Sequence, residues 1–357
     1  MKVSFDVKHL YYLPQYLPVY EILREQEIDC EFTFYQQADK SLNEICKAVI
    51  KDSSLNAKWC ANWSEALNHY KTSKPTWIIF GNSVSDIEAL HVSSKTAFMH
   101  HGIGPKQCYY TDSDNLTTVR FVEGDHRLKR LQEMYPEGNF IDTGFSKLDP
   151  AFRESSQTIS LQTMGLDPNK KTILYAPTFY PSSVERFPNS FPKEFSNYNI
   201  ILKPHFFSLT HKRYKQQKRL LESWASSDNV YLASTKEYSL VPFMLVADLM
   251  LSEASSAVFE FAALDKPVIW CDFYKLRWNY RGIFSYRFKR RMDQDLEIFH
   301  EIADQIKSYD ELAHVLERVI HHPDAKQQQR KEITEKLAGK TDGRCSQRVV
   351  EYLLANG

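Results

Sequence analysis

Long apolar runs are missing from this 357-residue sequence. No stretch approaches the roughly 20 apolar residues that a membrane-spanning helix needs. The opening "MKVSFDVKHLYYLPQYLPVY" has no basic start, extended apolar core and small-residue cleavage site, so no secretory leader is expected from it. Net charge is missing too: 45 Lys and Arg balance 45 Asp and Glu, so composition supplies no prior for nucleic acid, and any anion must be bound by a local patch. The six cysteines, Cys30, Cys46, Cys60, Cys108, Cys271 and Cys345, form no CxxC pair and lack the density of a disulfide scaffold. They predict a reducing, cytoplasmic setting. No period of 20–50 residues recurs, which argues against a solenoid. There is no GxxxxGK[ST] loop, no GxGxxG after a strand and no GxSxG elbow, so P-loop, dinucleotide-oxidoreductase and α/β-hydrolase readings lack their key residues.

What is present is alternation. "KVSFDV" precedes "LPVYEILREQ" and "TWIIFGNS" precedes "VSDIEAL", while "KTAFMHHG" runs into a glycine turn. Short β-rich runs followed by helical patterns predict βα units and a parallel sheet. A polar, turn-rich stretch near residues 150–171 ends this series, and a second follows: "KTILYAPT", "NIILKPH", "NVYLAS", "ADLMLSEASS" and "KPVIWCDF". The expectation is an α/β protein of two Rossmann-like domains, 1–155 on the acceptor side and 165–335 on the nucleotide side. A helix over 344–357 is available to pack on the first. In the second series each apolar run stops at a polar cluster, where a parallel sheet presents ligand-binding groups at its carboxyl edge.

Three strand ends carry anion-friendly groups. In "LSEASSAVFEFAALDKPVI", Ser252, Ser255 and Ser256 fall at a strand-to-helix turn that suits a phosphate, with Glu260 placed to accept from a ribose. The plainer reading is that the serines cap a helix. In "IILKPHFF", Pro204 ends the strand, so Lys203 and His205 project from the same edge. "ILYAPTFY" ends at Pro177 and Thr178. In the first series "MHHGIGPK" sets His100 and His101 before a Gly-x-Gly-Pro turn. An imidazole is suited to accept a proton from an attacking hydroxyl near neutral pH. Local reasoning gives His101 a slight preference, because Gly102 lets the chain turn tightly beside it.

In this order the blocks resemble the CDP-glycerol glycerophosphotransferase family, the teichoic-acid-type primases and polymerases of GT-B fold. "HGIGPK" resembles its His-Gly turn with Lys106 at the matching offset, and "DTGFSKLD" its Gly-x-Pro-Arg-x-Asp block at Gly144 and Asp149. "ILYAPTFY", "ILKPH", "LSEASSAVFEFAALDKPVI" and "DGRCSQRVVEYL" resemble the Ala-Pro-Thr, Lys-Pro-His, Ser-Asp-Tyr-Ser-Ser and closing helix blocks. The resemblance implies two parallel sheets facing a central cleft. It implies a transferase that moves a polyol phosphate from a CDP-linked polyol donor, CDP-glycerol first among them, to a glycan or lipid-linked glycan acceptor. His101 would be the base and His205 would stabilise the donor phosphates. Ser255 and Ser256 would hold the pyrophosphate, with Lys203, Thr178, Ser252 and Glu260 lining the donor site. Gly102, Lys106, Lys147 and Asp149 would support the site, and His100 would be structural. No cofactor is implied.

The chain departs from the pattern at Ser146, Lys147, Tyr180, Glu253 and Ala254, which leaves the polyol open. Other readings of the same blocks are a GT-B nucleotide-sugar glycosyltransferase, a UDP-sugar 2-epimerase, and a non-catalytic glycan- or membrane-binding protein. The basic, aromatic segment "KLRWNYRGIFSYRFKRR" (275–291) suits peripheral contact with an anionic membrane, or is an ordinary solvated face. The acid pairs Asp112/Asp114 and Asp293/Asp295 follow no convincing strand, so no metal is expected, and no nucleic-acid module is recognisable.

Overall fold

A computed structural model of the chain describes residues 1–104, 107–111, 116–153, 159–276 and 298–357. The chain divides into two compact units, one comprising Met1–Ile103, Cys108–Ser155 and Glu335–Gly357, the other Gly104–Gln107 and Ser156–Thr334. Lys106, the acid pairs and the basic segment beyond Leu276 lie outside the described residues.

The first unit is built on β1 (Lys2–Val7), β2 (Asp29–Tyr35), β3 (Ala57–Cys60), β4 (Trp77–Phe80), β5 (Lys95–Met99), β6 (Val119–Val122) and β7 (Phe140–Asp142). They form one parallel sheet in the order β3-β2-β1-β4-β5-β6-β7. Every residue of "WIIF" in β4 and "VRFV" in β6 is buried. Helices cover both faces of such a sheet, which is why β4 reads as a continuous rather than alternating apolar run. The chain's last helix, Cys345–Ala355, belongs to this unit and packs on helix Leu13–Glu25. Trp77 Nε1 donates to Leu353 O at 3.0 Å beneath it.

The second unit carries β8 (Thr172–Tyr175), β9 (Asn199–Leu202), β10 (Val230–Leu232), β11 (Leu249–Ser252), β12 (Val268–Cys271) and β13 (Ala303–Ile306). They are again parallel, in the order β10-β9-β8-β11-β12-β13. Its core is strongly aromatic: Tyr175 stacks on Phe187 with centroids 4.9 Å apart, and Phe191 meets Trp224 edge-on at 5.4 Å.

Both sheets reverse their strand order once, between β1 and β4 in the first and between β8 and β11 in the second. At such a reversal the connecting chains leave in opposite directions and open a crevice beyond the carboxyl ends of the strands, where ligands of this architecture bind.

Candidate functional site

The histidine turn leaves the carboxyl end of β5. His100 is 1% exposed, its Nδ1 lies 3.3 Å from Gly102 O, and Tyr109 meets its ring edge-on at 4.2 Å. It sits inside the first unit. His101 is half-buried against two tyrosine rings, stacked on Tyr12 at 5.0 Å and tilted against Tyr11 at 5.1 Å. Its Nδ1 lies 3.0 Å from Gly81 O, at the carboxyl end of β4. A carbonyl can only accept, so Nδ1 carries the hydrogen, and in the neutral ring Nε2 holds the lone pair. Gly81 is needed there, because a Cβ would fall 2.8 Å from the Tyr12 ring and from Tyr16 Oη. The sequence carries a signal for this wall: the paired tyrosines of "LYYLPQY" follow β1, the strand beside β4.

Buried polar groups back the wall. Asp6, near the end of β1, accepts from Tyr35 Oη at 2.5 Å and Tyr70 Oη at 2.9 Å. Burial nevertheless pushes its carboxyl up to about 6, and burial and Lys8 push the His9 imidazole down to about 4.

The supporting residues divide. Gly102 is buried and Lys147 is half-buried. Asp149 has no exposure: its carboxylate accepts from Cys345 N at 3.0 Å and Ser346 N at 2.6 Å, holding the start of the last helix. Gly144 (φ +79°) lies where a Cβ would come 2.7 Å from Cys345 Sγ. The "DTGFSKLD" and "DGRCSQRVVEYL" blocks are thus one structural joint, made across 196 residues of chain.

The serine turn lies at the reversal of the second sheet. Lys203 N donates to Tyr175 O at 2.9 Å and His205 N to Pro177 O at 3.1 Å, so β9 stays aligned beside β8 past the end of its ladder. Lys203 Nζ lies 6.0 Å from the Phe243 ring centre. His205 Nδ1 accepts from Phe207 N at 3.2 Å, capping helix Phe206–Thr210. That places the hydrogen of the neutral imidazole on Nε2. The two histidines therefore hold opposite tautomers: Nε2 of His101 can accept a proton, and Nε2 of His205 can donate a hydrogen bond.

The serines differ from one another. Ser252, expected to line the donor site, is fully buried and its hydroxyl donates to Ala176 O at 2.8 Å, tying β11 to the end of β8. Ser255 is the N-cap of helix Ser256–Ala262, its Oγ accepting from Ala257 N at 3.2 Å, so the plainer capping reading holds for this hydroxyl. Ser255 and Ser256 are half-buried, and Glu260, one turn on, is fully buried. Thr178 N donates to Glu253 Oε2 at 2.6 Å, and its hydroxyl donates to Pro181 O. Glu253 also accepts from Ser183 N at 2.8 Å and Ser183 Oγ at 2.5 Å, and burial pushes its carboxyl up to about 7 despite these bonds. In sequence Glu253 reads only as a departure from the family pattern, because its partners lie 75 and 70 residues away. Among the described residues no three His, Cys, Asp or Glu side chains gather as a metal site would require.

The family model described as CDP-Glycerol:Poly(glycerophosphate) glycerophosphotransferase matches residues 100–355. The chain is 25% identical over 323 residues to the teichoic acid glycerol-phosphate primase of Bacillus spizizenii, covering 84% of this chain and 79% of that protein. It is 28% identical over 194 residues to the Bacillus subtilis primase, spanning about half of each protein, 48% of this chain and 49% of the relative. A solved structure of the wall teichoic acid polymerase TagF superposes with a TM-score of 0.68 at 12% identity, over 99% of this chain and 88% of that one, a likeness of fold alone. The two parallel sheets are those of the GT-B class. By the extent of the family match, the chain belongs to the CDP-glycerol:poly(glycerophosphate) glycerophosphotransferase family.

Proposed function

We propose that the chain transfers glycerol phosphate from CDP-glycerol to a hydroxyl of a glycan or lipid-linked glycan, releasing CMP. The acceptor oxygen attacks the phosphorus that carries glycerol; the new O–P bond forms as the bond from that phosphorus to the bridging oxygen breaks, and that oxygen leaves with CMP. His101 Nε2 takes the acceptor proton. His205 Nε2–H and the Lys203 ammonium neutralise charge as it moves onto the leaving phosphate, the kind of preorganised stabilisation on which phosphoryl transfer depends. Ser256 and the turn around it hold the pyrophosphate, with Glu260 toward the ribose. The acceptor is met at the cytoplasmic face of a membrane, with 275–291 as the surface contact; nucleic acid is no partner.

The observation that carries this reading is the opposite tautomers of His101 and His205, each dictated by a backbone partner, in a chain of this family. Calorimetric binding of CDP-glycerol, CDP-ribitol, CDP, UDP and UDP-GlcNAc tests it. Cytidine-selective binding that weakens at least tenfold in Ser256→Ala supports it. Uridine-selective binding overturns the donor and points to a nucleotide-sugar enzyme of the same fold.

A further inference from the structure

Pro177 and Pro181 have no N–H, so the loop that follows β8 cannot continue a backbone ladder through them. Its two ends are closed by one side chain from the turn after another strand. Glu253 lies just past β11; its Oε2 takes Thr178 N–H at 2.6 Å, and its Oε1 takes both Ser183 N–H at 2.8 Å and Ser183 Oγ–H at 2.5 Å. Tyr175 Oη lies 2.7 Å from Ser183 Oγ. With that hydroxyl's hydrogen turned to the carboxylate, the tyrosine is the donor in this pair.

Between the stapled ends, Phe179 packs its ring on His205 at 4.7 Å, with Phe207 at 5.2 Å and Tyr214 at 5.7 Å around it. Gln217 Nε2 donates to Phe179 O at 3.1 Å. The Glu253–Thr178 hydrogen bond, the Thr178–Phe179 peptide bond and the Phe179–His205 ring contact thus link Glu253 to the His205 imidazole.

We infer that Glu253 is a positioning residue for the donor half of the reaction: by accepting three hydrogen bonds it closes the 178–183 loop and, through Phe179, sets the plane of His205. The inference rests on the glycerophosphotransferase reading above for its kinetic consequence, though not for the staple itself. A neutral amide cannot reproduce this acceptor set, since Gln would turn an NH2 group toward one of the N–H donors. Aspartate retains the charge but retracts it by about 1.5 Å, so it reaches one end of the loop.

The test compares wild type, Glu253→Gln and Glu253→Asp by hydrogen exchange of the Thr178 and Ser183 amides and by steady-state kinetics with CDP-glycerol. At about pH 8, above the value of about 7 to which burial raises Glu253, exchange at both amides in Glu253→Gln should rise about ten- to a hundredfold, the loss of charge-assisted bonds. The KM for donor should rise about tenfold or more, while the KM for acceptor stays within twofold of wild type. Glu253→Asp should fall between Gln and wild type in both readouts. Unchanged exchange in Glu253→Gln overturns the staple, and a donor KM equal to wild type overturns the positioning role. Equal rises in both KM values, as general loosening would give, also overturn it. If wild type does not turn over CDP-glycerol, the functional reading fails while exchange still decides the staple. If Glu253→Gln does not fold, the Asp variant carries both readouts.

Discussion

His101→Asn separates the two things the histidine does. An asparagine Nδ2–H can still donate to Gly81 O, which the imidazole Nδ1 meets at 3.0 Å, but it offers no basic atom in place of Nε2. Loss of a general base lowers kcat by about 10²–10⁴-fold, roughly 3–5 kcal/mol in the barrier. The folding cost is smaller. The ring contacts with Tyr12 at 5.0 Å and Tyr11 at 5.1 Å are lost, about 0.5–1.5 kcal/mol each, while the carbonyl of Gly81 stays satisfied. Steady-state CMP release should therefore show kcat reduced at least a hundredfold, with donor KM within about threefold of wild type by the rule that a lost transition-state contact leaves binding alone. Urea denaturation should show a loss of about 1–3 kcal/mol. A kcat within tenfold of wild type, or a defect carried by donor KM, would refute the assignment of the base.

Other outcomes follow from the same contacts. Asp149→Ala strands two N–H groups at the start of the last helix; it should destabilise the first unit by roughly 3–5 kcal/mol and expose the Cys345–Ala355 helix to protease, whereas a change below 1 kcal/mol would show that this carboxylate does not hold the helix. Ser255→Ala should cost about 1 kcal/mol as a lost cap and Ser256→Ala almost nothing, so a matched loss of melting temperature in both would contradict the division between them. Asp6 and Glu253 are raised to about 6 and about 7, so the native state binds more protons than the unfolded chain between about pH 4 and those values. Their contribution is complete below about pH 4 and is lost as pH rises through about 6 and about 7 respectively, on the order of 3 kcal/mol each. The fall in unfolding free energy between pH 4.5 and 7.5 should be shallower in Asp6→Asn and in Glu253→Gln; slopes equal to wild type would contradict it.

The strand edges could be read before any coordinates because their signals are local. A run such as "NIILKPH" contains both the strand and the proline that ends it, so Lys203 and His205 are placed by their own neighbours in sequence. The alternation of β-rich runs and helical patterns likewise carries the parallel sheets. What could not be read is whatever depends on a partner far along the chain. The tautomer of His101 is decided by a carbonyl 20 residues earlier, and the role of Glu253 by donors 70 and 75 residues away. Asp149 appears in a motif, but only the start of a helix 196 residues later shows what its carboxylate does. Ser252, Ser255 and Ser256 look alike in sequence; the carbonyl of Ala176, 76 residues earlier, shows that Ser252 ends its strand with its hydroxyl already engaged, while Ser255 and Ser256 lie at the helix start.

The most direct measurement is to incubate the purified chain with CDP-glycerol and a lipid-linked glycan, then identify the nucleotide released and the mass added to the acceptor. CMP should appear in equal amount with a glycerol phosphate on the acceptor, and His101→Asn should form both at least about a hundredfold more slowly. Release of CDP, UDP or a free epimer, or CMP formed at the wild-type rate by His101→Asn, would contradict it.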